Sequence, residues 1–94
     1  MTMSTHMKAV HDRAARYDST LMANDPRFRG IVIIKEQWGV TSFTFQDAFV
    51  VEDACDTEKW YIVFSEHNGF HVYDADDYHA FAFDARKKID PAPF

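Results

Sequence analysis

DADDYHAFAFDARKKI, residues 74–89, supports two incompatible structures. Read with a period of 3.6, it places Tyr78, Phe81, Ala82, Ala85 and Ile89 on one helical stripe, with acids in the first turn and Arg86, Lys87 and Lys88 in the last. Asp74 then serves as the N-cap, accepting from the free amides near Asp76 and Asp77, and Asp90-Pro91 supplies the stop. Read with a period of two, His79, Phe81 and Phe83 alternate with Tyr78, Ala80 and Ala82 as a strand. Length and capping chemistry favour the helix, and the expectation for the C-terminal part of the chain is set accordingly.

Working outward, WYIVFSEH and FHVYD flank Asn68-Gly69, a strong hairpin signal. A two-residue turn there pairs His67 with Phe70 and Glu66 with His71. One face of the hairpin then carries Trp60, Ile62, Phe64 and Tyr73, and the other Tyr61, Val63, Phe70 and Val72. ACDTEK before it reads as a polar loop. Upstream, FRGIVIIKEQ is a β-branched strand, Trp38-Gly39 marks a turn into VTSFTFQ, and AFVVED continues that strand with a bend or begins another. The first segment is helical: Met3, Met7, Val10, Ala14, Tyr17 and Leu21 recur at steps of four and three until Asn24, Asp25 and Pro26 stop them. The expected architecture is a two-layer α+β domain: an N-terminal helix, an antiparallel meander of about four strands and a C-terminal helix. Because both hairpin faces are apolar, either the two helices cover opposite faces or one aromatic face is left for a partner or a second copy.

A chain of 94 residues makes one domain, 1–94, and buries about 60 to 65 % of its unfolded surface. Met7 is a second candidate start, so residues 1–6 read as a leader and carry little weight. With 47 % hydrophobic and 16 % aromatic residues the chain is too apolar to be disordered. Its net charge of −5 argues against binding DNA or an anionic membrane. The single Cys55 permits no internal disulfide and suits a reducing compartment; with no long apolar run, the expected location is the cytoplasm.

Little points to catalysis. Cys55 stands between Asp53 and Asp56, whose charge disfavours the thiolate. Nucleophile-elbow, phosphate-loop and zinc signatures are missing, and no catalytic residue or cofactor is expected. Glu66 and His71, paired across the expected hairpin, are the weak candidates for a metal, short of a ligand set; a small metal-assisted enzyme is the corresponding alternative. Lys8, Arg13 and Arg16 on the first helix could touch RNA, but Asp12 and Asp18 interrupt that face.

Charge is segregated along the chain: residues 1–35 sum to +3, residues 36–85 to −10 and residues 86–94 to +2. Acids clustered with aromatics suit a protein that binds another protein with a basic surface, the charge speeding encounter and the aromatics anchoring it. The candidate partner-binding residues are Asp53, Asp56, Glu58, Asp74, Asp76 and Asp77, with Phe83 and Trp38 as exposed anchors. A homodimeric accessory or ligand-binding α+β domain, joined through the aromatic sheet face, is the alternative from another class.

YDADDYHAFAF after a strand, with TSFTFQD upstream, resembles small acidic phage inhibitors, including anti-CRISPR proteins that occupy nucleic-acid sites on surveillance complexes. The resemblance implies a non-catalytic inhibitor of a host defence complex acting in the host cytoplasm, with the six acids named above as phosphate surrogates. The net basic first 35 residues depart from whole-molecule nucleic-acid mimicry and confine the implied mimicry to a local patch.

Overall fold

A computed structural model of the chain describes residues 5–22 and 25–84. Helix α1 spans Thr5–Asp18, and five strands follow: β1 Gly30–Glu36, β2 Ser42–Cys55, β3 Glu58–Ser65, β4 Gly69–Asp74 and β5 Tyr78–Asp84. All pairings are antiparallel and the order across the sheet is β4-β3-β2-β1-β5. Among the described residues no helix is long and apolar enough to cross a membrane.

The expected C-terminal helix is overturned where it falls within the described residues. Residues 78–84 form a fifth strand, with Ile31 opposite Phe83 and Ile33 opposite Phe81. The rest of the expected helix, 85–89, lies outside the described residues, as do residues 1–4 of the expected leader. The acids assigned to the helix's first turn form a turn of another kind. Asp74 Oδ1 accepts from the Asp76 amide at 2.9 Å and the Asp74 carbonyl accepts from the Asp77 amide at 3.0 Å, reversing the chain between β4 and β5.

The β3–β4 hairpin is also shifted by three residues of register from expectation, so that Val63 and not Glu66 stands opposite His71. Ser65 pairs with Gly69 and Phe64 with Phe70, leaving 66–68 as a three-residue connection; Gly69 takes φ 76°, which a glycine adopts without a Cβ penalty. The shift moves Phe70 and Val72 to the face of Trp60, Ile62 and Phe64, and places His71 and Tyr73 with Tyr61 and Val63. The polar loop ACDTEK shortens to a turn at 56–57 between Cys55 and Glu58.

β2 is the bent strand that the sequence left open. Its first half pairs with β1 and its second with β3, and Ala48 faces both Gly30 and Ser65. Between Gly30 and Ile31 the register skips Asp47, which bulges out at φ 51°, a conformation that an aspartate tolerates better than most residues. Gly30 is required here by close approach: a Cβ would lie 2.9 Å from the carbonyl oxygens of both Ala48 and Phe83.

Two cores result, one on each face. Helix α1 lays Val10 and Ala14 on Trp60, Ile62 and Phe64, and Phe28 completes this buried cluster, with Met7, Leu21, Phe49, Phe70 and Val72 around it. The helix ends at Asp18, where Ser19 Oγ and Thr20 Oγ1 donate to the Arg16 and Tyr17 carbonyls at 2.7 Å. On the way to β1, Arg27 pairs with Asp25 through two contacts of about 3 Å and lies over the Tyr17 and Phe49 rings. Among the described residues no second helix covers the other face. The sheet curls, so that Val32, Ile34, Ala48 and Val63 are fully buried beneath Phe45, Val50, Tyr73, Tyr78 and Ala80. Tyr73 on β4 reaches Phe43 on β2 at 5.9 Å and Tyr78 on β5 at 5.1 Å, although β4 and β5 are opposite edges of the sheet.

Candidate functional site

One end of the curled sheet brings an exposed aromatic and several carboxylates together. β1 ends at Glu36, and residues 37–41 turn the chain into β2, with the Glu36 amide donating to the Thr41 carbonyl at 3.0 Å. This tip presents Trp38, 85 % exposed, and Val40, 95 % exposed. Gln37 fastens it to the β4–β5 turn: its amide donates to the Asp77 carbonyl at 2.9 Å, and its Nε2 donates to the carbonyls of Ala75 and Tyr78 at 2.8 and 3.2 Å. Glu36, Trp38, Gly39, Asp77 and Tyr78 line the notch between tip and turn. Asp76 and Asp77 are exposed, while Asp74 is half-buried and occupied with its turn. Nearby, burial first and Tyr78 second push the Tyr73 phenol above its ordinary range, so it stays a neutral hydroxyl. An indole face beside carboxylates is suited to hold a Lys or Arg side chain, through cation–π attraction and charge pairing together.

The other acids singled out in the sequence face inward to the protein's own helix. Asp53 receives Arg13 Nε and Nη2, each at 2.9 Å. His6 sits between Asp56, 2.9 Å from its Nε2, and Glu58, in close contact with its Nδ1. The Glu58 hydrogen bond, with the charge of both carboxylates, raises the His6 pKa above its ordinary value despite partial burial. His6 and Arg13 of α1 are thus complementary to the acidic end of β2 and β3, and Asp53, Asp56 and Glu58 serve to dock the helix. Glu52 is likewise paired, with Lys59 at 3.1 Å, and this bond raises the Lys59 pKa.

Phe83 is on the far side of the sheet from the notch's turn residues, next to Phe81 along edge strand β5; the two are 45 % and 46 % exposed. Glu66 and His71 do not pair across the hairpin: His71 is opposite Val63, its ring against Phe45 at 5.0 Å, and its buried Nε2 has no hydrogen-bond partner among the described residues. The Cys55 side chain lies outside the described residues. Sequence reasoning missed Gln37, Glu36 and Val40, because the notch depends on a contact between residues nearly forty positions apart; the one legible sign was an apolar Trp and Val flanking Gly39 where a turn is usually polar.

Comparison with protein-family models, with curated proteins and with solved structures finds no match to this chain.

Proposed function

We propose that this protein is a non-catalytic binding domain whose notch, Trp38 with Glu36 and Asp77, together with the exposed Asp76 in the adjoining turn, engages a basic surface on another protein. The observation that carries the reading is Trp38, almost fully exposed on a tip that Gln37 braces against an acidic turn. An exposed aromatic carried on a braced tip offers an anchor for a partner's pocket, and adjacent carboxylates select for Lys and Arg. Blocking a basic nucleic-acid-binding cleft of a host defence complex is the sharpest form of this reading, with Asp76 and Asp77 standing in for phosphates.

The test is a tagged pull-down from the native host cytosol, run in parallel with W38A and with D76K/D77K, at about 0.05 M and about 0.5 M salt, where screening separates exposed charge pairs from buried ones. Capture of a nucleic-acid-processing complex that is lost in both variants and at high salt supports the reading. Retention of the same complex by both folded variants removes the notch from the account.

A second reading, a homodimer, is favoured by β5. It stands at the sheet edge, carries exposed Phe81 and Phe83, and has neither the Lys nor the Pro that commonly blunts such an edge. A sedimentation coefficient that rises with concentration in the wild type and not in F81E supports it; a concentration-independent monomer rules it out.

A further inference from the structure

We propose that Asp47, Glu66 and His67 form a divalent-cation site of the zinc type, built where the β2 bulge meets the β3–β4 turn. Each offers one ligand atom, and the three atoms lie within 4.8 Å of one another. This site is independent of the notch and of the reading placed on it.

Two histidines here are flanked by pairs of carboxylates, and the difference between them carries the argument. At His6 the carboxylates of Asp56 and Glu58 bind opposite nitrogens, so the ring is clamped between them and no single point is shared. At His67 both carboxylates face the same nitrogen: Nε2 is 3.3 Å from Glu66 Oε1 and 3.6 Å from Asp47 Oδ2. Three donor atoms grouped this closely can share one ion. For bonds of about 2.0–2.1 Å to Zn²⁺, a tetrahedral ligand-to-ligand edge is about 3.3–3.4 Å. The two separations that involve the imidazole are close to that edge without rearrangement.

The frame is held by backbone. The Glu66 amide donates to the Asp47 carbonyl at 3.0 Å, which ties the turn to the bulged residue that supplies the third donor. One imidazole with two carboxylates suits Zn²⁺ and its transition-metal neighbours; Ca²⁺ and Mg²⁺ prefer oxygen throughout. The Asp47 and His67 side chains are 55 % and 69 % exposed, so the remaining coordination positions are open to water or to a donor from a bound molecule.

The test uses tag-free, chelator-treated full-length protein titrated with zinc chloride by calorimetry, and with cobalt chloride by visible absorption, which reports coordination geometry. One ion per chain is expected. His67→Ala should weaken binding at least about tenfold, since even groups outside the ligand shell are worth that much. Asp47→Asn should weaken it too, while His6→Ala should not. All three positions can be checked for folding by circular dichroism. Absence of saturable binding overturns the site, as does binding that survives His67→Ala, binding that is lost in His6→Ala, or Ca²⁺ bound as tightly as Zn²⁺.

Discussion

Phe64→Ala should cost this protein a large share of its stability. The side chain is 1 % exposed, and its ring meets Tyr17 of α1 at 5.1 Å, Phe49 of β2 at 5.2 Å and Phe70 of β4 at 6.4 Å. Truncating a buried Phe costs about 3–5 kcal/mol, the spread reflecting how far the surroundings collapse into the space. Three separate elements hold these rings, two of them strands locked by hydrogen bonds, so collapse is limited and about 4 kcal/mol is expected. A 94-residue domain has about 5–14 kcal/mol in total at about 0.05–0.15 kcal/mol per residue, so the variant is left marginal. The melting temperature should fall by about 15–30 °C at about 4–8 °C per kcal/mol. Phe81→Ala is the control: with 46 % of that residue already in water, roughly half of a full burial of about 1.5–3 kcal/mol is at stake, or about 1 kcal/mol. Urea unfolding followed by circular dichroism measures both, with the midpoint read at an unchanged slope. Equal losses in the two variants would refute the placement of Phe64 as the junction of helix and sheet.

Three further outcomes follow from particular contacts. Gly30→Ala should destabilise by about 1–3 kcal/mol in the same urea assay, because the Cβ meets backbone oxygens on both sides and neither strand can yield cheaply; a gain in stability would show that the approach is looser. The raised pKa of His6 means that its pairing stabilises the fold fully below its ordinary pKa of 6.5 and is lost as pH rises through the folded value; a pH series of melting temperatures should show this loss in the wild type and not in His6→Ala. The hydrogen bonds from Arg27 lower the Asp25 pKa to about 2, so that contribution is present above pH 3.8 and is lost as pH falls towards about 2; Asp25→Asn should flatten this part of the acid-unfolding curve.

How much of this was readable in advance depends on how local the deciding interaction is. The first helix was plain because its stripe carries its own periodicity, and Met7, Val10 and Ala14 line the helix-side core; it stops at Asp18, however, earlier than the expected stop at Asn24, so that Leu21 reaches the same core from beyond the helix end. Residues 78–84 were not, because Phe81 belongs to both the helical stripe and the alternating one. The arbiter is pairing with β1, some fifty residues away, where Ile31 and Ile33 meet Phe83 and Phe81. The capping chemistry at Asp74 was read correctly as a hydrogen bond and wrongly as a helix start: an aspartate accepting an amide two residues on serves a turn as well as a helix. In the hairpin, Asn68-Gly69 identified the reversal, but the left-handed Gly69 closes a three-residue connection, and the resulting shift of three residues, an odd number, moved His71 to the other face. The notch and the convergent carboxylates at His67 depend on the bend in β2 and on contacts across the sheet, which no local pattern encodes.

The long second strand has a consequence for how the molecule comes apart. Ala48 is paired on both sides, and the strand that contains it is an integral part of both half-sheets. The half-sheets are joined through one continuous strand, share Ala48 and pack Tyr73 of one against Phe43 and Tyr78 of the other, so opening either half also strips the packing of its neighbour. Amide protons on β1 and on β3 should therefore exchange with solvent through a common global opening, with matching free energies. A backbone nick within 46–50 should abolish folding of both fragments, whereas one at the exposed tip near Trp38 should leave the two pieces able to reassemble.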